Sequence, residues 1–190
     1  MSISLNKLKL FLGKKTDKRG LYNFIYNSET LYATNGHNVA WISYSAPYAD
    51  TVYLDQDTLR LIDNDKMKPP PVERLFDQYT FQKFSINKDI LVKALSGLTG
   101  IIDLKFEGNK IIITQSSAML DINMLIKLDF ELPLNYNFRI SACDINKFLN
   151  VIKNIKTVEN IDIHLDPEYR KPPIKLTIPG LGYMTWLYKL

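Results

Sequence analysis

The chain has 190 residues, 46% hydrophobic and 12% aromatic, with a formal net charge of +4. This composition supports one large or two small domains with real cores and excludes wholesale disorder. Its single cysteine, Cys143, excludes an intrachain disulfide framework and a cysteine-based zinc site, and no apolar run reaches the length of a helical membrane span.

Residues 3–12 space Ile3, Leu5, Leu8, Phe11 and Leu12 by roughly three and four, which predicts an amphipathic helix stopped at Gly13. Lysines interrupt this start, so it does not read as a signal peptide, and a cytoplasmic protein is expected. Lys7, Lys9, Lys14, Lys15, Lys18 and Arg19 make the stretch basic. Residues 21–26 predict a strand. Leu31 and Ala33, then Val39 and Trp41, alternate around Asn35-Gly36, which predicts a hairpin of half-buried strands with a tight turn. A short strand is expected over 51–54. Asp55 or Asp57 then caps a short helix carrying Leu59, Leu61 and Ile62. Residues 64–71 are polar and end in three prolines, the best linker candidate.

The second part opens on an extended segment, 81–86. Asn87 caps a helix with Ile90, Leu91, Ala94, Leu95 and Leu98 on one face. Strands are expected over 101–106, 110–114 and 120–128, the first two joined by a turn at Glu107-Gly108-Asn109. A strand at Phe138-Arg139-Ile140 leads into a helix over 144–154. Residues 161–165 and 174–178 predict a hairpin, and 183–190 a closing strand.

One pattern recurs. Phe84, Ile86, Leu91, Lys93, Leu95 and Leu98 match Phe138, Ile140, Ile145, Lys147, Leu149 and Ile152 in type and spacing. Ile3, Leu8 and Leu12 repeat part of it, and Leu54 and Leu59 begin a shorter fourth copy. Each copy is a strand feeding a short amphipathic helix. The expected fold class is α+β, with repeated strand-helix-strand units and helices on one side of antiparallel sheets. Residues 1–80 are expected to form a truncated domain with its linker, and 81–190 a complete one. The wet helix faces carry Lys7, Lys9, Arg60, Lys88, Lys93, Lys147 and Lys153. Any one of these is an ordinary solvated residue. Together they suggest a shared basic surface suited to a phosphate backbone without base readout.

These residues resemble a family. Residues 33–40, Ala-Thr-Asn-Gly-His-Asn-Val-Ala, are similar to the Ala-Thr-Asp-Gly-His-Arg-Leu-Ala segment of bacterial β-type DNA sliding clamps. Residues 70–76 resemble the clamp segment Phe-Pro-Asp-Tyr-Arg-Arg-Val/Leu. Residues 183–190 resemble the clamp ending Tyr-Val-Val-Met-Pro-Met-Arg-Leu. The resemblance covers nearly the whole chain, laid over the second and third domains of the three-domain clamp. It implies the DNA clamp fold, with helices around a central hole, and a DNA polymerase processivity factor without enzymatic activity or cofactor. Its partners would be double-stranded DNA, a polymerase and a clamp loader. It also implies a peptide pocket between the domains, walled by Thr34, Gly36, His37, Asn38 and Val39, by Pro70, Arg74 and Leu75, and by Met184, Trp186, Leu187, Tyr188 and Leu190. Trp186 and Tyr188 are equally the residue types of an ordinary core.

The chain departs from the family where Asn35 and Asn38 replace Asp and Arg, so a rim charge is lost, and where Trp186, Leu187 and Tyr188 replace Met-Pro-Met. One whole domain has no counterpart. Two-domain clamps close as trimers, so a homotrimer of phage-like type is expected. A non-encircling adaptor or decoy for replication or transcription proteins is the alternative. Asp162, His164 and Asp166 alternate along one strand, which leaves a metal-dependent nuclease as a third reading.

Overall fold

The computed structural model describes residues 5–62, 68–72, 74–116, 121–132, 135–166, 173–186 and 188–189. It divides into two compact units, residues 1–79 with 179–184, and residues 80–178 with 185–190. Among the described residues, no helix is long and apolar enough to cross a membrane.

The first unit begins with one helical turn, α1 (Leu5–Leu8), and a 3-10 turn over Lys9–Phe11. The helix expected over 3–12 tightens to a 3-10 turn and ends at Phe11, and Ile3 lies outside the described residues. Leu12 is already extended, and the Gly13 N–H reaches the Leu21 and Thr34 carbonyls, which draws the chain out of the helix. Strands β1 (Phe24–Asn27), β2 (Thr30–Thr34), β3 (Asn38–Ser43) and β4 (Val52–Leu54) follow. The short helix α2 (Arg74–Asp77) comes after the proline stretch. With β12 (Leu181–Trp186), the sheet order here is β4-β1-β2-β3-β12.

The β2–β3 hairpin forms as expected, Thr34 opposite Val39 and Leu31 opposite Ile42. Its strands are covered on both faces rather than one: Leu31, Tyr32, Ala33 and Thr34 are buried in succession. Phe11 of the 3-10 turn packs on Tyr183 of β12, ring centroids 5.3 Å apart. The neighbouring Gly182 faces the opposite way, against Trp41, where Phe76 of α2 also packs. Two short helical pieces thus sandwich one sheet, and each fully buried aromatic contributes about 1.5–3 kcal/mol.

The helix expected after Asp55 is absent. Asp55 Oδ1 accepts hydrogen bonds from the Asp57 and Thr58 N–H groups (3.0 and 2.8 Å) and the Thr58 hydroxyl (2.9 Å). These hold a single turn, which Leu59 closes at φ 56°. The chain then reverses, the Asp55 N–H bonds the Arg60 carbonyl, and Leu61 bridges back to Leu54. The fourth, shorter copy of the repeat therefore has no helix.

The second unit holds two full copies. Strand β5 (Gln82–Asn87) runs directly into α3 (Lys88–Leu95), and β9 (Tyr136–Ser141) into α4 (Ala142–Ile152). Asn87 caps α3 as expected, its side-chain oxygen accepting from the Asp89 and Ile90 N–H groups at 3.0 and 3.2 Å. After α3 come β6 (Ile101–Glu107), β7 (Lys110–Ser116) and β8 (Asp121–Lys127). After α4 come β10 (Asn160–Leu165) and β11 (Pro173–Ile178). The expected closing strand is split into β12 and β13 (Tyr188–Lys189).

The two copies exchange their first strands. β5 pairs with β10, Phe84 opposite Ile163, and β9 pairs with β6, Phe138 opposite Leu104. One sheet has the order β13-β9-β6-β7-β8, and β11-β10-β5 lie side by side in the other. Helices α3 and α4 are neighbours, with Leu91, Leu95, Ile145 and Leu149 buried. Ile90, expected on the apolar face, points outward at 46% exposure. An apolar cavity of about 20 Å³ lies under the helices between Leu91, Ile145, Phe106 and Ile163. Its lining offers water no hydrogen bond.

Candidate functional site

Five of the residues expected to line a pocket lie at the β2–β3 turn. The Thr34 hydroxyl donates to the Asn38 carbonyl at 2.6 Å and accepts from the Gly36 N–H at 3.1 Å. Asn35 Oδ1 accepts from the His37 and Asn38 N–H groups at 2.9 and 3.0 Å. The side chains at 34 and 35 therefore build the turn themselves, and Gly36 supplies its φ of 87°. His37 is exposed at the tip. Asn38, expected on the rim, is fully buried, its backbone N–H and C=O both taken up inside the turn by Asn35 and Thr34. Val39 and Met184 are also fully buried and underlie a surface rather than form one.

A residue not expected at this tip is Arg19. Its guanidinium binds the Asp17 carboxylate through Nε (3.1 Å) and Nη2 (2.8 Å) and lies against Gly36, where a Cβ would meet Nη2 at 2.8 Å. Asp17 is held below the usual carboxylate range by these bonds. The alternating pattern gave no sign of this contact, since Arg19 precedes the sheet and reads as one of many basic loop residues.

The same unit gathers an aromatic group. Trp41 meets Phe76 edge-on at 4.8 Å, and Tyr32 lies 6.4 Å from Phe76. Tyr32 and Trp41 are cross-strand partners, so the hairpin register brings them to one face. Trp41 and Phe76 are half-buried. Pro70 is half-buried and Arg74 exposed at the start of α2, which also contains Leu75. Trp186 is half-buried at the end of β12, and Tyr188 pairs through its backbone with Arg139. Leu187 and Leu190 lie outside the described residues.

The expected basic face is thinner than the sequence suggests. Lys93 on α3 is exposed and its repeat counterpart Lys147 on α4 half-exposed, each on the side of its helix away from the buried leucines and isoleucines. Lys153 is exposed just past α4 and bonds Asn150 at 3.2 Å. Lys88 is a correction: it is 5% exposed, and its Nζ donates to the Ile155 carbonyl at 2.8 Å. It sits in the first turn of α3, where the ammonium ties the helix to the loop after α4. Replacing Lys88 with Met, which keeps the stem but removes the donor, is expected to cost about 1–3 kcal/mol in urea unfolding. In the first unit Lys7 is half-exposed on α1, and Lys9 is paired to Asp57 at 2.9 Å. Arg60 is exposed but lies in the loop after Leu59, not on a helix.

Asp162, His164 and Asp166 do not assemble. Asp162 is bound by Lys83 at 2.8 Å and by the Ser85 hydroxyl. The His164 Nε2 is 2.9 Å from the Thr177 hydroxyl. Asp166 is buried and accepts from the Thr80 N–H at 2.8 Å. Among the described residues, no three of His, Cys, Asp and Glu are placed to hold a metal ion. Burial, helped by the neighbouring Lys175 charge, pushes the His164 imidazole down from 6.5 to about 4. Its folded value lies below its unfolded one, so its contribution is complete above 6.5 and is lost as pH falls toward 4. The denaturation midpoint is expected to drop over that window, and His164→Gln to flatten the drop.

No protein-family model and no curated protein matches the chain. Solved structures do. The Helicobacter pylori beta clamp in complex with diflunisal aligns at 11% identity and a TM-score of 0.76, over 98% of this chain and 63% of that one. The DNA polymerase III subunit beta of Pseudomonas aeruginosa aligns at 16% identity and a TM-score of 0.72, over 98% and 64%. The Helicobacter pylori beta clamp bound to a DNA ligase peptide aligns at 12% identity and a TM-score of 0.73, over 97% and 62%. The chain spans less than two-thirds of the length of each. Its fold is that of the DNA sliding clamps, antiparallel sheets with short helices laid on them.

Proposed function

We propose that this chain is a clamp-like, non-catalytic scaffold that assembles in more than one copy around duplex DNA and tethers replication proteins. Within a clamp fold, the observation that carries the reading is Lys93 and Lys147. They are repeat counterparts on the wet faces of two adjacent helices. Such lysines neutralise phosphates without reading bases. A polymerase or another replication protein would dock a short linear motif on the first unit. There the half-buried Trp41 and Phe76 offer apolar anchorage and the His37 turn a polar edge. That a similar clamp binds a DNA ligase peptide supports this mode of recruitment. Retention on circular against linearised duplex DNA tests the reading. A topologically linked scaffold stays on the circle and is lost on linearisation. No retention on either would refute DNA holding.

The buried Lys88 and the Lys9–Asp57 pair favour one second reading, a clamp-like adaptor that binds replication proteins without surrounding DNA. It predicts no retention on circles and motif-peptide binding unaffected by Lys93→Glu and Lys147→Glu.

A further inference from the structure

The excess positive charge of the chain is concentrated in one place. Lys14, Lys15, Lys18 and Arg19 stand in a single loop, residues 13–20, with Asp17 as its one acid. That loop holds three of the chain's four net positive charges. All four cations are exposed. Asp17 does not neutralise the lysines, because it is bound by the Arg19 guanidinium and by the Arg19 N–H at 2.8 Å each. Asp55 lies close enough to feel Lys15, but its carboxylate already accepts from the Asp57 and Thr58 N–H groups and the Thr58 hydroxyl.

The loop has a built backbone. The Gly13 N–H bonds the Leu21 and Thr34 carbonyls at 2.8 and 3.1 Å. Two turns follow: the Asp17 N–H bonds the Lys14 carbonyl at 2.9 Å, and the Gly20 N–H bonds the Asp17 carbonyl at 3.1 Å. The Tyr53 hydroxyl donates to the Arg19 carbonyl at 2.6 Å. Both ends of the loop meet the β2–β3 turn, Gly13 at Thr34 and Arg19 at Gly36. Asn35 and Asn38 give that turn no charge of their own. The polar edge of the Trp41–Phe76 surface therefore takes its charge from the 13–20 loop, which lies in the same unit. A fixed backbone lowers the ordering cost of using these cations.

We propose that the 13–20 loop selects the partner: it favours linear motifs with acidic residues on one side of their apolar anchors. This rests on the docking reading given above. The anchors sit on Trp41 and Phe76, and the flanking acids meet Lys15 and Lys18. Only one flank gains, because the loop touches the hairpin at Thr34 and Gly36, whereas Trp41 lies further along β3. Complementary charge of this kind raises the association rate and rejects motifs with basic flanks. A phosphate backbone would engage the cations too, but it offers nothing to the two aromatic rings. An acidic peptide engages both.

Fluorescence anisotropy of the full chain with three synthetic peptides tests it. All three carry adjacent Leu and Phe anchors. One has two Asp residues before the anchors, one has them after, and one has Asn at all four flanking positions. At low salt one acidic peptide should bind about fivefold or more tighter than the Asn peptide, and the gain should shrink as salt rises. The double change Lys15→Glu, Lys18→Glu should abolish that gain and leave the Asn peptide's affinity unchanged, which shows that fold and anchorage survive. Equal binding of all three peptides would overturn the proposal and leave the docking reading standing. An equal gain for both acidic peptides would also overturn it, since net charge alone would then explain the effect. If no peptide binds, the docking reading fails and the proposal with it. If the double change lowers the salt slope of duplex DNA binding and spares the peptide preference, the loop serves phosphates and the proposal is wrong.

Discussion

Gly182→Ala is expected to destabilise the first unit by about 2–4 kcal/mol, read as a fall in denaturation midpoint. A Cβ at this position would lie 2.0 Å from Trp41 Cε2 and 2.1 Å from Cζ2. Carbon atoms cannot approach so closely, so the strand or the indole must move. The indole is not the free end of a flexible chain. Phe76 holds its edge at 4.8 Å, and Tyr32 stands opposite it across the hairpin. Moving Trp41 therefore breaks the aromatic group that the proposed docking surface rests on. Motif-peptide affinity should fall along with stability. Adding Trp41→Leu to Gly182→Ala should cost less than the two single changes summed, because the smaller side chain removes the collision. Gly97→Ala is the control. A Cβ there meets nothing within 4 Å and only the φ of 85° is strained, so the expected cost is about 1–2 kcal/mol. Gly182 carries no positive φ, so a loss there no larger than the strain cost at Gly97 would mean that Trp41 yields cheaply to the new Cβ.

The second unit was largely legible before its structure. Its two copies keep the same residue types at a constant offset, and one side of each strand and helix faces a core while the other faces water. Phe84 and Ile86, like Phe138 and Ile140, are buried on alternate positions. Asn87 announced its helix because only a short polar side chain can bind the first free N–H groups. The first unit was less legible because its sheet is covered on both faces, so alternation loses its meaning along β2. Asp55 carried a helix-cap signal, but its carboxylate is satisfied by one turn, and the chain gains more by returning to β4. Lys88 misled for another reason. A lysine in the first turn of an amphipathic helix reads as solvated, and the carbonyl that takes it in, Ile155, is 67 residues away. No local pattern contains that information. The same holds for Gly182, whose need for no side chain comes from a tryptophan on another strand.

The double change Lys93→Glu, Lys147→Glu is expected to weaken duplex DNA binding by about a hundredfold at physiological salt. The reasoning follows from counterions. Each lysine facing a phosphate releases about one condensed cation, so removing two should lower the slope of log affinity against log salt by about two per copy. Reversing the charge adds repulsion from the same phosphates. Lys88 is left out, because its ammonium is committed to the Ile155 carbonyl and a glutamate there would test folding rather than binding. The informative control is Lys110→Glu, the same charge change in the same unit. Lys110 is exposed on β7, on the sheet rather than on the helix faces. If the helix faces meet the phosphates, Lys110→Glu should leave the salt slope unchanged and shift affinity only slightly. If its effect matches that of Lys93→Glu or Lys147→Glu taken singly, DNA responds to net charge alone. The repeat-related lysines would then have no special claim on it. Paired measurement of the slopes decides between a surface and a mere excess of charge, because only a surface makes position matter.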